Sequence, residues 1–241
     1  MTRRPSRAVA AIASLVVATV LGTGSAGSVT TTTTAPTTTT TAACPGAPAT
    51  GVASAAAQLL VVSARSALST AATLSAYELV DGCWARALGP FFARVGRHGL
   101  RLHRHEGDGT TPIGVFTIGA TLLGVGPDPH DAYPYRRLVC GDWWDEDPSS
   151  ASYDELVRVP CGASPGFSGE PMWLEGNVYP ILAVIGFNPR RVPGLGSGIF
   201  LHLDYGRPTD GCVALLRPAL YRVLAWLRPG DHPEIAIRVG R

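Results

Sequence analysis

The residues from Gly51 onward predict a mainly β fold, a β-sandwich of mixed sheets with one or two short helices. Three observations lead there. Short apolar or alternating runs recur between turns in a chain holding 28 Gly and 20 Pro. Helical spacing shows at one place, near the C-terminus. With 46% apolar residues, the roughly 190 residues beyond the low-complexity start can bury one core.

The predicted strands, in order, are Gln58–Ala64, Ala71–Leu79, Phe91–Val95, Gly114–Ile118, Tyr179–Phe187, Gly198–Leu203 and Glu234–Val239. Within the fifth, Ile181 to Ile185 is continuously apolar, the mark of a strand covered on both faces. The helix begins near Pro218, which suits a first turn. Leu220, Val223, Leu224 and Leu227 share one face, and Pro229-Gly230 stops it. From Leu122 to Asn177 the chain is rich in Pro, Gly, Asp and Trp and reads as a long loop, a lid or cleft wall. Its Trp143, Trp144, Tyr153 and Trp173 either line a groove for an extended substrate or pin the segment to the core.

The N-terminus reads as an address. Arg3, Arg4 and Arg7 precede an uncharged apolar run, Ala8 to Leu21, and Gly24-Ser25-Ala26 offers small residues for cleavage. The run is about 14 residues, short of the roughly 20 that span a bilayer, so 1–26 is expected to be a signal peptide. An uncleaved anchor is the alternative, and the export route stays open. Residues 27–50 hold ten Thr between positions 30 and 41 and read as an extended, hydrated tether, leaving 51–241 as the folded domain. The expectation is a secreted, wall-located monomer with no stable membrane span after cleavage. All the basic residues are Arg, and losing three of them takes the net charge from +2 to −1. A chain so balanced lacks the basic stripe that nucleic acid requires.

Five cysteines make an odd count, and export places them where disulfides form. Proximity pairs Cys140 with Cys161 and leaves Cys44 to tie the tether to Cys83; three pairings of these four stay open. Cys212 is then unpaired. An apolar strand ends at His202, a Gly/Pro loop follows, and the thiol comes after Gly211. An imidazole beside a thiol makes thiolate available, and a hairpin-like return would bring the two within hydrogen-bonding reach. Gly211 permits close approach of a carbonyl, with the Gly211 and Cys212 N–H groups as candidate oxyanion donors. A structural thiol beside a core histidine is the competing reading.

Phe200-Leu201-His202 followed by Thr209-Asp210-Gly211-Cys212-Val213 resembles the signature of the L,D-transpeptidase catalytic domain, the YkuD-like family. Thr110-Thr111-Pro112-Ile113-Gly114-Val115-Phe116 resembles that family's Thr-Pro-x-Gly-x-Phe segment, in the right order and about 90 residues upstream. The resemblance covers Gln58 to Val239. It implies acyl transfer on peptidoglycan stem peptides, with release of D-alanine, cell-wall cross-linking or remodelling, and acylation by carbapenem-type inhibitors. Carried over residue by residue, Cys212 is the nucleophile, His202 its base, Gly211 the tight-turn residue, and Thr209 the Ser/Thr position. No cofactor is implied.

Three departures stand out. Asp210 replaces the family's usual His, the His-to-Cys loop is short, and Ala214 replaces a substrate-binding Arg or Asn for which Arg207 or Arg217 would substitute. A catalytically impaired wall-binding protein of the same fold is therefore the alternative. Papain-like enzymes place Cys before His, and sortases carry a different strand around their cysteine. His98, His103 and His105 precede Glu106 and Asp108, but no closed zinc set follows, so they read as surface histidines and solvated turn acids with no metal.

Overall fold

Consecutive Leu and Val in Gln58–Ala64 (β1) leave no polar face, and β1 accordingly lies inside the sheet, antiparallel to β2 and parallel to the C-terminal strand. In this computed structural model residues 48–240 are described. The signal segment, the Thr runs and Cys44 lie outside the described residues.

β2 (Ala71–Val80) and β3 (Cys83–Arg94) form a long hairpin. It turns at Asp81-Gly82, both at positive φ (50° and 79°), as a two-residue turn between twisted strands requires. β4 (Leu100–Arg101) and β5 (Thr111–Pro112) make a short parallel pair. β6 (Gly114–Gly124) is followed by four short strands: β7 (Tyr135–Arg137), β8 (Asp142–Asp145), β9 (Leu156–Arg158) and β10 (Gly169–Pro171). Then come β11 (Leu182–Ile185), β12 (Phe200–Leu203), β13 (Val213–Leu215), α1 (Arg217–Trp226) and β14 (Glu234–Val239).

The expectation of a mainly β fold with mixed sheets and one helix holds. The large sheet runs β11-β12-β13-β3-β2-β1-β14-β6-β7, and β6 also pairs with β11, so eight strands close a ring. Closure leaves those strands without a bare edge. Leu60, Val62, Leu74, Leu201, Val213, Leu215, Ile235 and Ile237 form the main core with the apolar face of α1, Leu220, Val223, Leu224 and Leu227. Gln58, fully buried, caps that helix: its amide donates to the Trp226 carbonyl and its oxygen accepts from the Arg228 N–H.

A smaller core lies on the other face of β12. It gathers Trp144, Met172, Tyr179, Leu182, Phe200 and Cys212 beneath the three-stranded sheet β10-β8-β9. The stretch 122–177 is therefore not the structureless loop expected. Its strands of three or four residues are too short to show a period. Buried Asp142 holds it together, accepting from Arg136, Arg158 and the Val139 N–H. The Cys140–Cys161 disulfide closes it, with Cα atoms 5.2 Å apart, a loop worth about 3 kcal/mol on chain entropy. Cys83 is also disulfide-bonded.

Other boundaries moved. β3 starts at Cys83 rather than Phe91, β6 runs to Gly124 rather than Ile118, and β11 begins at Leu182 rather than Tyr179. Ala49, placed in the tether by composition, packs with Val52 against Leu59, Val61 and Ala236.

Candidate active site

Period-two alternation decides what faces the site. In β12, Leu201 and Leu203 point into the ring while Phe200 and His202 point to the outer face. β13 runs parallel to β12, with Leu201 opposite Val213 and His202 opposite Ala214. Cys212, one residue before Val213, falls level with Phe200 and on its face. The expected hairpin-like return is thus a parallel pairing. The connecting loop swings past Gly96, where Thr209 makes a bridge: Arg97 N–H donates to the Thr209 carbonyl and Thr209 N–H to that of Val95.

Both motifs meet at the backbone of Cys212. Thr209 Oγ1 donates to the Cys212 carbonyl at 2.7 Å and accepts from the Gly211 N–H at 3.2 Å. Thr111, from the upstream Thr-Pro segment, donates to the same carbonyl at 3.4 Å and accepts from the Gly96 N–H. Gly211 stands at φ 145°, and a Cβ there would come within 2.9 Å of Ile199 Cδ1 and 3.0 Å of the Thr110 carbonyl. Its N–H, expected as an oxyanion donor, is spent on Thr209 in the resting protein.

The thiol of Cys212 is free and buried. It accepts from the Phe200 N–H and donates to the Gly198 carbonyl, each at 3.3 Å. Burial pushes it up to about 12, against the Phe200 N–H, which favours thiolate. His202 Nδ1 lies 2.9 Å from the Leu203 carbonyl. A carbonyl only accepts, so Nδ1 carries the proton and Nε2 keeps its lone pair. Burial pulls this imidazole down to about 4. The ring sits edge-on to Tyr179 at 5.5 Å and stacks on Tyr205 at 6.2 Å; Arg207 lies over the Tyr205 ring at 5.0 Å. Among the described residues no hydrogen bond joins His202 to Cys212; both line one cavity of about 610 Å³.

Arg207 and Thr209 line the same cavity, while exposed Arg217 packs on Tyr221, away from it. Asp210 is exposed and pairs with Arg97, and both line the cavity that holds Cys212. Trp144 and Tyr153 are buried anchors, and Trp143 packs edge-on to Trp173 at 5.4 Å. The cavity wall from this segment is instead Glu146, Gly169, Glu170, Pro171 and Glu175. Trp144 matters indirectly. Its indole N–H and the Gly198 N–H both donate to Asp154, fixing the loop whose carbonyl holds the thiol.

Glu106 and Asp108 are not solvated turn acids. Glu106 lines the cavity and accepts from the Tyr153 and Ser197 hydroxyls. Asp108 has a side chain only 4% exposed and accepts from the Thr110 N–H and hydroxyl and from the His105 N–H. These bonds hold its carboxyl below the usual range despite burial. His98 Nδ1 bonds the Asp108 carbonyl.

Sequence reasoning also missed Glu146 and Glu170. Burial, reinforced for Glu146 by Glu106 and for Glu170 by Glu146, pushes each up to about 7. The folded protein therefore keeps protons that the unfolded chain gives up above pH 4.5, and these groups cost stability as pH rises from there to about 7. Glu170→Gln keeps an oxygen for the Tyr179 hydroxyl, which donates at 3.0 Å. The variant is expected to be more stable than the parent at pH 8, by about 2 kcal/mol, and unchanged at pH 4. Urea titrations at the two pH values check this; equal stability at pH 8 would contradict it.

The family model described as the L,D-transpeptidase catalytic domain, YkuD, matches residues 74–237. The chain belongs to that family. No curated protein matches it. Among solved structures, the helical cell shape determining protein Pgp2 from Campylobacter jejuni is similar at 15% identity and a TM-score of 0.36, over 77% of this chain and 48% of that one. The L,D-transpeptidase-like chain thus spans about half of that protein's length. No helix among the described residues is long and apolar enough to cross a membrane.

Proposed function

We propose that this protein is a cysteine-dependent L,D-transpeptidase acting on peptidoglycan stem peptides at the cell wall. The observation that carries the reading is a free thiol and an imidazole on one strand face, opening into one cavity, with the imidazole's Nδ1 proton tied to a backbone carbonyl. As Cys212 Sγ bonds to the scissile carbonyl carbon, its proton passes to His202 Nε2. The tetrahedral intermediate collapses, the C–N bond breaks, and Nε2 returns the proton to the departing amine. A second amine, or water, then attacks the thioester and regenerates the thiol. With the thiol raised and the imidazole lowered, the resting pair is neutral, so proton transfer accompanies attack rather than preceding it. Thr209 and Thr111 position the nucleophile through its carbonyl, and Arg207 borders the cleft mouth.

One observation favours the alternative, a wall-binding protein of the same fold: the thiol rests on Gly198 rather than on His202. Incubation with a carbapenem separates the two. An acyl adduct on Cys212, seen by mass spectrometry of the folded protein, supports the enzyme; an unmodified thiol supports binding alone.

A further inference from the structure

Arg104 lines the cavity beside Cys212 and takes no part in the chemistry above. It is 4% exposed, and its Nε and Nη1 make no hydrogen bond. The Phe187 ring centroid lies 5.5 Å from its Cζ, and a Cβ on Gly196 would come within 2.9 Å of that atom, so the guanidinium is closely packed. The nearest carboxylate, Asp108, is 3.7 Å away and already accepts three hydrogen bonds. Glu106, also on the cavity wall, is engaged by Tyr153 and Ser197.

A desolvated guanidinium with free donors is costly until an acceptor fills them. Its planar fork fits a carboxylate. Arg104 lines the cavity beside Cys212, and its Nη1 is 3.4 Å from where a Cβ on Gly211 would stand. A group bound there lies next to the attacked carbonyl. In a peptide cut at its last bond, the free carboxylate follows the scissile nitrogen directly.

We propose that Arg104 receives the free C-terminal carboxylate of the donor peptide and so confines the enzyme to peptides whose scissile bond is the last one. The assignment rests on the acyl-transfer reading for its substrate, and binding tests it without turnover. Calorimetry on the full chain carrying Cys212→Ser compares a stem tetrapeptide with its C-terminal amide. The acid is expected to bind about 10- to 100-fold more tightly. Arg104→Gln should erase that difference by weakening the acid alone, and Arg104→Lys should restore part of it. Equal affinities, undetectable binding of the acid, a preference that survives Arg104→Gln, or equal weakening of both peptides (an oxyanion or structural role) would each overturn it. Should Arg104→Gln not fold, the acid-to-amide ratio on the native side chain decides. D-residue release by the native enzyme reports on acyl transfer separately. Tight acid binding without release sinks that reading alone; release without acid preference sinks Arg104 alone.

Discussion

Cys212→Ala is expected to lower release of the terminal D-residue from a tetrapeptide stem by about a thousandfold or more. No other group is placed to form the covalent bond: the other cysteines among the described residues, Cys83, Cys140 and Cys161, are oxidised. The side chain is small and its loss leaves the Thr209 and Thr111 bonds to the residue 212 carbonyl in place. The fold should therefore survive, with far-ultraviolet dichroism unchanged. Equal release by both proteins would remove this sulfur from the chemistry.

His202→Gln is the second large effect. Glutamine keeps a polar group near the Leu203 carbonyl but takes no proton from sulfur, so kcat/KM should fall about 10²- to 10⁴-fold. The pH profile says more. A base held down at about 4 stays unprotonated above that pH, so native activity should fall only as pH drops through about 4. That acid limb should vanish in His202→Gln. A limb near 6.5 instead would mean the imidazole is solvated during turnover. The same group should destabilise the fold as pH falls from 6.5 to about 4, because the unfolded chain takes up a proton there that the buried ring refuses.

The parts of this fold legible in sequence are those whose signal is local. β1 and β14 each hold an apolar run, Leu59–Val62 and Ile235–Ile237, opened by a polar residue, and both boundaries came out as read. The helix showed through the spacing of Leu220, Val223, Leu224 and Leu227. Counting cysteines isolated Cys212, and the short separation joined Cys140 to Cys161. What stayed hidden is long-range. β13 has three residues and owes its existence to β12 and β3 on either side, so no pattern of its own reveals it, and the parallel pairing that puts the thiol and imidazole on one face went with it. Glu106 and Asp108 looked like solvated turn acids, and Arg104 drew no notice, because nothing in their spacing signals that Thr110, Tyr153 and Phe187 pack against them. Glu170 sits on a strand too short to read and Glu146 just after another, yet it is burial there that sets their protonation.

Mass spectrometry of the intact protein, quenched during turnover of a tetrapeptide, tests the whole chain of inference at its covalent step. The expected spectrum shows an added mass equal to the tripeptidyl acyl group, mapped by digestion to the peptide bearing residue 212 and lost on adding an acceptor amine. D-residue release with an unmodified sulfur there, or an adduct on another side chain, would contradict it.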